Sequence, residues 1–329
     1  MTFRSLRLPQ LFFSAIPLLL AALPQASAQD SYPSRLIRII VPTSPGAGLD
    51  VTARLIAQGL SDRLGWRVVV ENRAGASTMI GNDMVAKAPP DGYTLLMGVS
   101  SLAINPAMYK KVPYDALRDF APITLAVLVP NLVAVHRSVP VKSVKELIAL
   151  ARARPGEILY GSPGAGTNPH LTMELFASMA KVRMVHVPYK GATPSVIDVI
   201  AGNIATIGIT FAMLIPHVRD GKLRALGVTS ASRIAVAPDI PTVAEAGPMP
   251  GYESVNWFGL LAPARTPEAI MARLHKEVVA ILRSPEIKQR FHNDAVQGVA
   301  GSPEEFSTFI KTETVKWAKV ARDAGIQPE

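Results

Sequence analysis

The chain has 329 residues, 49% of them hydrophobic and 18% charged. That is enough for two domains and too apolar for disorder. Cysteine is absent, which excludes a disulfide framework, a CxxC metal or redox site, a cysteine nucleophile and an acylated lipoprotein cysteine. The net charge of +9 is spread along the chain, and aromatic residues are only 6%, so nothing resembles a stacking platform for nucleic acid.

The N-terminus reads as a secretory signal. Arg4 and Arg7 precede the apolar stretch Leu11 to Leu23, and Ala26-Ser27-Ala28 offers a small-residue site with cleavage before Gln29. The apolar stretch would cover about 20 Å, short of the ~30 Å hydrocarbon core that an anchor must span. Removing residues 1–28 leaves an exported chain with a net charge of +7.

Beyond that segment, short β-rich runs alternate with helical stretches, the pattern of parallel α/β domains. Leu36 to Val41 is an expected strand, and Asp50 to Leu64 an expected helix after a Pro/Gly loop. Strands are expected at Val68 to Glu71, Tyr93 to Met97 and Ile123 to Val129, with a helix from Met79 to Ala88. The scheme restarts with a strand at Leu132 to Val135 and a helix from Ser143 to Ala153, where Ser143 and Glu146 form a capping-box pattern. A strand at Ile158 to Tyr160, a helix from Pro169 to Ala180, a strand at Met184 to Val187 and a helix from Pro194 to Ala201 follow. Strands near Ile204 to Ile209 and Leu223 to Thr229 come next. The C-terminal region reads as two helices, Pro267 to Arg283 and Pro303 to Ala324.

The pentapeptide Ser-Pro-Gly-Ala-Gly occurs twice, at Ser44 to Gly48 and Ser162 to Gly166, each time between a strand and a helix. The first helix has Asp50 as a candidate cap, the second Thr167 or Asn168. A helix N-terminus carries unpaired N–H groups and partial positive charge, so these loops suit a carboxylate or phosphate. Neither completes GxGxxG or ends as a P-loop, which favours a small organic anion over a nucleotide. Glycine-rich strand-to-helix turns are also ordinary structural features.

Catalytic patterns are thin. Gly98-Val99-Ser100-Ser101-Leu102 fails as a nucleophile elbow, and the six histidines never fall at HExxH spacing. No catalytic residue, metal site or cofactor is expected. Asp50 fits helix capping better than catalysis. His170 fits a structural or solvent-facing role ahead of ligand contact, and Trp257 a core position ahead of a cleft-facing one.

The run Arg38-Ile39-Ile40-Val41-Pro42 with Pro45-Gly46 and Asp50 resembles the opening of the Bug family, the substrate-binding receptors of tripartite tricarboxylate transporters. The likeness continues through Val69-Val70-Glu71-Asn72-Arg73-Ala74-Gly75, Pro90-Asp91-Gly92-Tyr93-Thr94, Tyr160-Gly161-Ser162, His186-Val187-Pro188-Tyr189-Lys190-Gly191 and Gly221-Lys222-Leu223-Arg224-Ala225-Leu226. It covers essentially the whole chain after the signal, in order.

This resemblance implies an α/β, type II periplasmic-binding-protein fold, with two α/β lobes joined by crossing strands and a ligand cleft between them. Lobe 1 would comprise residues 29–126 plus 251–329, and lobe 2 residues 127–250. It also implies ligand contacts from Thr43, Ser44, Pro45, Gly46, Ala47 and Gly48 in the first loop. The second loop would contribute Ser162, Pro163, Gly164, Ala165, Gly166 and Thr167, with Ser100, Ser101, Thr210 and Phe211 as further cleft candidates. Tyr189 and Lys190 fit the cleft or the lobe's own structure.

Where the family often has acidic residues, Ala205 and Ile209 stand, which implies a di- or aromatic carboxylate without an amine in that corner. The expected role is a monomeric periplasmic receptor that delivers a small carboxylate to the membrane subunits of such a transporter. A second reading makes the partner a sensor kinase. A third, a secreted hydrolase using Ser100 or Ser162, lacks a visible histidine–acid partner.

Overall fold

Apolar residues in short runs build the strands, and several of these runs hand over to a helix at a glycine or proline turn. The computed structural model describes Thr2 and residues 32–328, and the chain from Arg35 onward forms one unit. The signal-segment expectations, Arg4 through Gln29, lie outside the described residues. Among those that are described, no helix is long and apolar enough to cross a membrane.

The elements run β1 (Ile37–Val41), α1 (Gly48–Leu64), β2 (Val68–Asn72), a 3-10 turn (Ala76–Thr78), α2 (Met79–Ala86), β3 (Thr94–Val99), α3 (Ser101–Met108) and β4 (Phe120–His136). Then come α4 (Val144–Ala153), β5 (Leu159–Ser162), α5 (Asn168–Ala180), β6 (Val185–Pro188), α6 (Ala192–Ala201), β7 (Thr206–Thr210), α7 (Phe211–Arg219) and β8 (Leu223–Val228). The chain closes with α8 (Val243–Ala246), β9 (Val255–Pro263), α9 (Glu268–Leu282), α10 (Pro285–Asn293), β10 (Gln297–Gly298) and α11 (Pro303–Asp323).

Strands follow the order β2-β1-β3-β9-β4-β7-β5-β6, with β8 and β10 also pairing with β4. Two parallel groups, β2-β1-β3 and β6-β5-β7, are joined by the antiparallel pair β9 and β4. The two separate strands expected at Ile123 to Val129 and Leu132 to Val135 are one 17-residue strand, β4. Pro130, which has no N–H to give a ladder, sits where the strand changes partners. Residues 120–130 pair with β9, and residues 131–136 with β7 and β8. At the junction the Asn131 N–H bonds the Thr229 hydroxyl, and the Thr229 N–H bonds the Asn131 carbonyl.

The apolar faces meet in separate clusters on either side of this junction. Ile40, Leu96 and Leu261 pack with Trp257 and Phe306, whose rings stand edge to face at 5.5 Å. Trp257 is fully buried, a core residue as its apolar setting implies. On the other side Tyr160, Phe176, Tyr252 and Val144 pack together, and Leu132, Ile207 and Phe211 form a neighbouring cluster.

Four helices lie outside the sequence expectations: α3, α7, α10 and the four-residue α8. The first two contain Pro106 and Pro216, which break helical reading in sequence. The third opens at a Ser284 cap with Pro285 in its first turn. Several boundaries also differ, two of them at helix starts that bear on the site and the C-terminal region. α1 begins at Gly48 with Ala47 as its cap residue, so Asp50 is not the cap but an acid inside the first turn. Pro267 is the cap position of α9, one residue before the helix.

Candidate functional site

The first glycine loop leads from β1 into α1 and is braced from below. Asp50 accepts the Gly46 N–H at 2.9 Å, two bonds from Arg54 at 3.0 Å each and one from Asn72 at 2.9 Å. Asn72 also donates to the Thr43 carbonyl at 3.0 Å, so both ends of the loop are tied to one buried carboxylate. Burial works against that charge, but the bonds from Arg54, Gly46 and Asn72 outweigh it and hold the carboxyl below its ordinary range. Bracing of the loop from inside the first turn, in place of the expected helix cap, accounts for Asp50.

A cavity of about 560 Å³ opens beside this loop. Thr43, Gly46, Ala47 and Gly48 form one wall, Thr210 and Met213 another, and Asn256 and Phe258 of β9 line it together with Val129 and Pro130. Leu49, Val51 and Leu55 of α1 make its surface largely apolar, and Arg290 of α10 pairs with Asp294, the residue after that helix, at 2.7 Å on its lining. The first N–H groups of α1 lack intrahelical acceptors by geometry. Thr43 Oγ1 is buried without a hydrogen-bond partner.

The expected site residues divide accordingly. Thr43, Gly46, Ala47, Gly48 and Thr210 line this cavity, while Ser44 and Pro45 are exposed on the same loop. Ser100 is buried and reaches the cavity through Asn256, to which its hydroxyl donates at 2.6 Å. Ser101 shares a hydroxyl contact of 2.7 Å with Thr78. Phe211 is 2% exposed and belongs to the core. Ile209 is also a core residue and Ala205 packs beside the core, so neither lines the cavity and both are silent about an amine there.

The second glycine loop, Ser162 to Thr167, does not line the cavity. Its helix begins at Asn168 with Thr167 as cap residue and Pro169 in the first turn, as the sequence implies. Asn168 donates to the Val255 carbonyl at 3.2 Å, which places the start of α5 against the residue before Asn256. The Ser162 hydroxyl is turned inward. It bonds the Gly164 carbonyl at 3.0 Å and His186 Nε2 at 2.6 Å. The sequence shows no histidine for Ser162. The structure supplies one, with Ser162 fully buried and His186 partly so. Tyr189, just after β6, donates to Asp198 of α6 at 2.5 Å.

Asn256 and Phe258 escape the sequence reading, as do the α10 residues. Asn256 carried a signal: it is a polar residue interrupting the apolar run Val255 to Leu261. Among the described residues, no group of three or more His, Cys, Asp or Glu is placed to hold a metal ion.

The sequence profile described as tripartite tricarboxylate transporter family receptor matches residues 52–326. The chain belongs to that family. It is 37% identical over 298 residues to the protein BugT of Bordetella pertussis, covering 90% of this chain and 91% of that one. Among solved structures, Rpa4515 of R. palustris with adipate is 37% identical, with a TM-score of 0.80 over 91% of this chain and all of that one. MatC of Rhodopseudomonas palustris with bound malate is 28% identical, with a TM-score of 0.75 over 88% of this receptor and 99% of that chain. The fold is therefore that of the family's periplasmic solute-binding receptors, with two parallel strand groups joined through antiparallel crossing strands.

Proposed function

We propose that this receptor captures a small dicarboxylate in the cavity beside the first glycine loop and delivers it to the membrane subunits of a tripartite tricarboxylate-type transporter. The observation that carries the reading is the start of α1 at the wall of a largely apolar cavity, beside the unpartnered Thr43 hydroxyl. Backbone N–H groups and a hydroxyl suit a carboxylate, and Leu49, Leu55 and Phe258 suit the carbon chain that joins two of them. Arg290 is already committed to Asp294, so the first loop carries the anion without a free cation. The adipate and malate held by the two R. palustris relatives support the same ligand class.

Hydrogen bonds to a charged group contribute about 1.5–3 kcal/mol each, and a micromolar complex needs about 8 kcal/mol net. A few such bonds per carboxylate, with water excluded by closure, are sufficient. The change of partners at Pro130 and Asn131 supports two lobes, residues 29–126 with 251–329 and residues 127–250. Closure of these lobes brings the second glycine loop, Ser162 to Thr167, onto the ligand from the opposite side. Export to the periplasm with cleavage before Gln29 completes the reading. The protein does no chemistry on what it binds.

Thermal unfolding of the chain from Gln29 against a panel of carboxylates tests this. A ligand at about 100 times its Kd adds ~2.7 kcal/mol of stability, a shift of several degrees. Stabilisation by dicarboxylates and not by matched salts is expected. A flat panel on folded, ligand-free protein overturns the reading.

A further inference from the structure

Beside the second glycine loop lies a cluster of titratable side chains that do not line the cavity. His170 and His186 stack with ring centroids 3.9 Å apart, and Tyr160 stacks on both at 6.4 and 5.1 Å. His170 is 5% exposed. Its Nδ1 accepts the Gly166 N–H at 3.1 Å, which fixes its proton on Nε2. The partner ring, His186, contacts the Ser162 hydroxyl, which accepts the Gly164 N–H at 3.2 Å. The two rings thus hold the loop at Gly166 and, through Ser162, at Gly164.

We propose that His170 is a positioning residue for the second glycine loop, holding Gly166 in place only while its imidazole is neutral, with His186 stacked against it to resist protonation. The consequence for ligand capture rests on the receptor reading above; the coupling of loop to proton does not.

A proton on Nδ1 turns its acceptor into a donor facing the Gly166 donor, so the charged ring and the observed loop are incompatible. Gly166 takes φ +72° and the Met108 side chain of α3 lies beside it, so turning its N–H away from the charged ring moves the loop from this seat. The groups facing His170 are few. From β5 comes Tyr160, from β6 His186, and from α5 itself Glu174, whose Oε1 lies 3.7 Å from Nε2. Glu174 already accepts the Tyr160 hydroxyl, burial raises its carboxyl above the ordinary range against the effect of that bond, and at 3.7 Å it stands beyond hydrogen-bond distance of the ring. Burial first, then the neighbouring ring of His186, pushes His170 down to about 3. An opened loop restores its ordinary value of about 6.5, so acid favours opening.

Amide hydrogen exchange on the full mature chain without ligand, between about pH 7 and about pH 5, reads this directly. After correction for intrinsic rates, Gly166 should open more readily than the slowest β1 amides. Its opening should grow up to about tenfold per pH unit below the ordinary histidine value. In His170→Asn, whose Oδ1 still accepts from Gly166, the rise should shrink by the one proton that His170 takes up. A pH-independent Gly166, opening only together with the slowest core amides, or an undiminished slope in His170→Asn each overturns the proposal. The wild-type profile decides even if the variant fails to fold. No ligand is present, so the carboxylate panel judges the receptor reading separately.

Discussion

Asn131 donates its amide to Asn168 Oδ1 across 2.8 Å, joining the strand that changes partners to the first residue of the helix behind the second glycine loop. Both side chains are buried. Asn131 also donates to Thr172 Oγ1 at 3.1 Å, and Asn168 to the Val255 carbonyl at 3.2 Å. One pair of amides therefore ties β4, α5 and β9 together next to the cavity.

Replacing Asn168 with alanine should cost about 1–3 kcal/mol, because it leaves the Asn131 amide and the Val255 carbonyl short of a partner in the interior. Urea unfolding measures this as a lowered midpoint at unchanged slope. A loss of only a few tenths of a kcal/mol would mean that Asn168 is peripheral to the junction.

The Asp50 brace gives a second expectation. Its carboxyl is held below the ordinary value, so its contribution is present above the unfolded pKa of about 3.9 and is lost as pH falls through the lower folded value. Asp50→Asn should lower stability at neutral pH by about 1–2 kcal/mol, since Gly46 and Arg54 lose a charged acceptor. The variant should also lose that part of the acid response. Equal unfolding midpoints for both proteins from neutral to acid pH would show that the loop stands without this carboxylate.

The histidine pair sets a wider pH response. Burial pushes His186 down to about 4, and burial with the adjacent ring pushes His170 to about 3. For a base with a lowered folded value, the unfolded chain binds more protons in the window between the two. Stability is then full above about pH 6.5 and declines as pH falls toward the folded values. The slope is up to about 1.4 kcal/mol per pH unit for each imidazole. Glu174 acts oppositely: its raised value favours folding below the unfolded carboxyl range and loses that effect as pH rises. Denaturant unfolding from about pH 7 to about pH 5 should show the decline, and His186→Phe should flatten it. An unchanged slope in that variant would remove His186 from the account.

Much of the fold and part of the site are legible in the amino-acid sequence. Local signals carry the strand–loop–helix units: glycine and proline mark the turns, and Pro169 and Pro303 mark helix starts. Trp257 as core follows from the same reasoning, and Thr167 is one of the two cap positions that it leaves open. What escapes is set by distant pairing. Pro130 reads locally as a strand breaker, yet β4 runs through it because β9 gives way there to β7 and β8. The family resemblance makes Phe211 a cleft candidate, but the turn into α7 directs it to the core. Ser162 and His186 are 24 residues apart, and only the parallel pairing of β5 with β6 brings them together. α10 has its Ser-Pro start in plain view, but its polar sequence conceals that Phe291 is buried at the cavity wall.

The most direct test of the receptor account is calorimetric titration of adipate, or of whichever dicarboxylate stabilises the protein most, into wild type and Gly48→Leu. A Cβ on Gly48 would stand 3.4 Å from the Phe258 ring, at the exposed start of α1. The added side chain therefore fills the cavity mouth without entering the core. The account predicts a loss of at least about a hundredfold in affinity, roughly 2.7 kcal/mol, with the ligand-free melting temperature nearly unchanged. Undiminished binding to a folded Gly48→Leu protein would contradict it, because the ligand would then sit somewhere other than beside the first glycine loop.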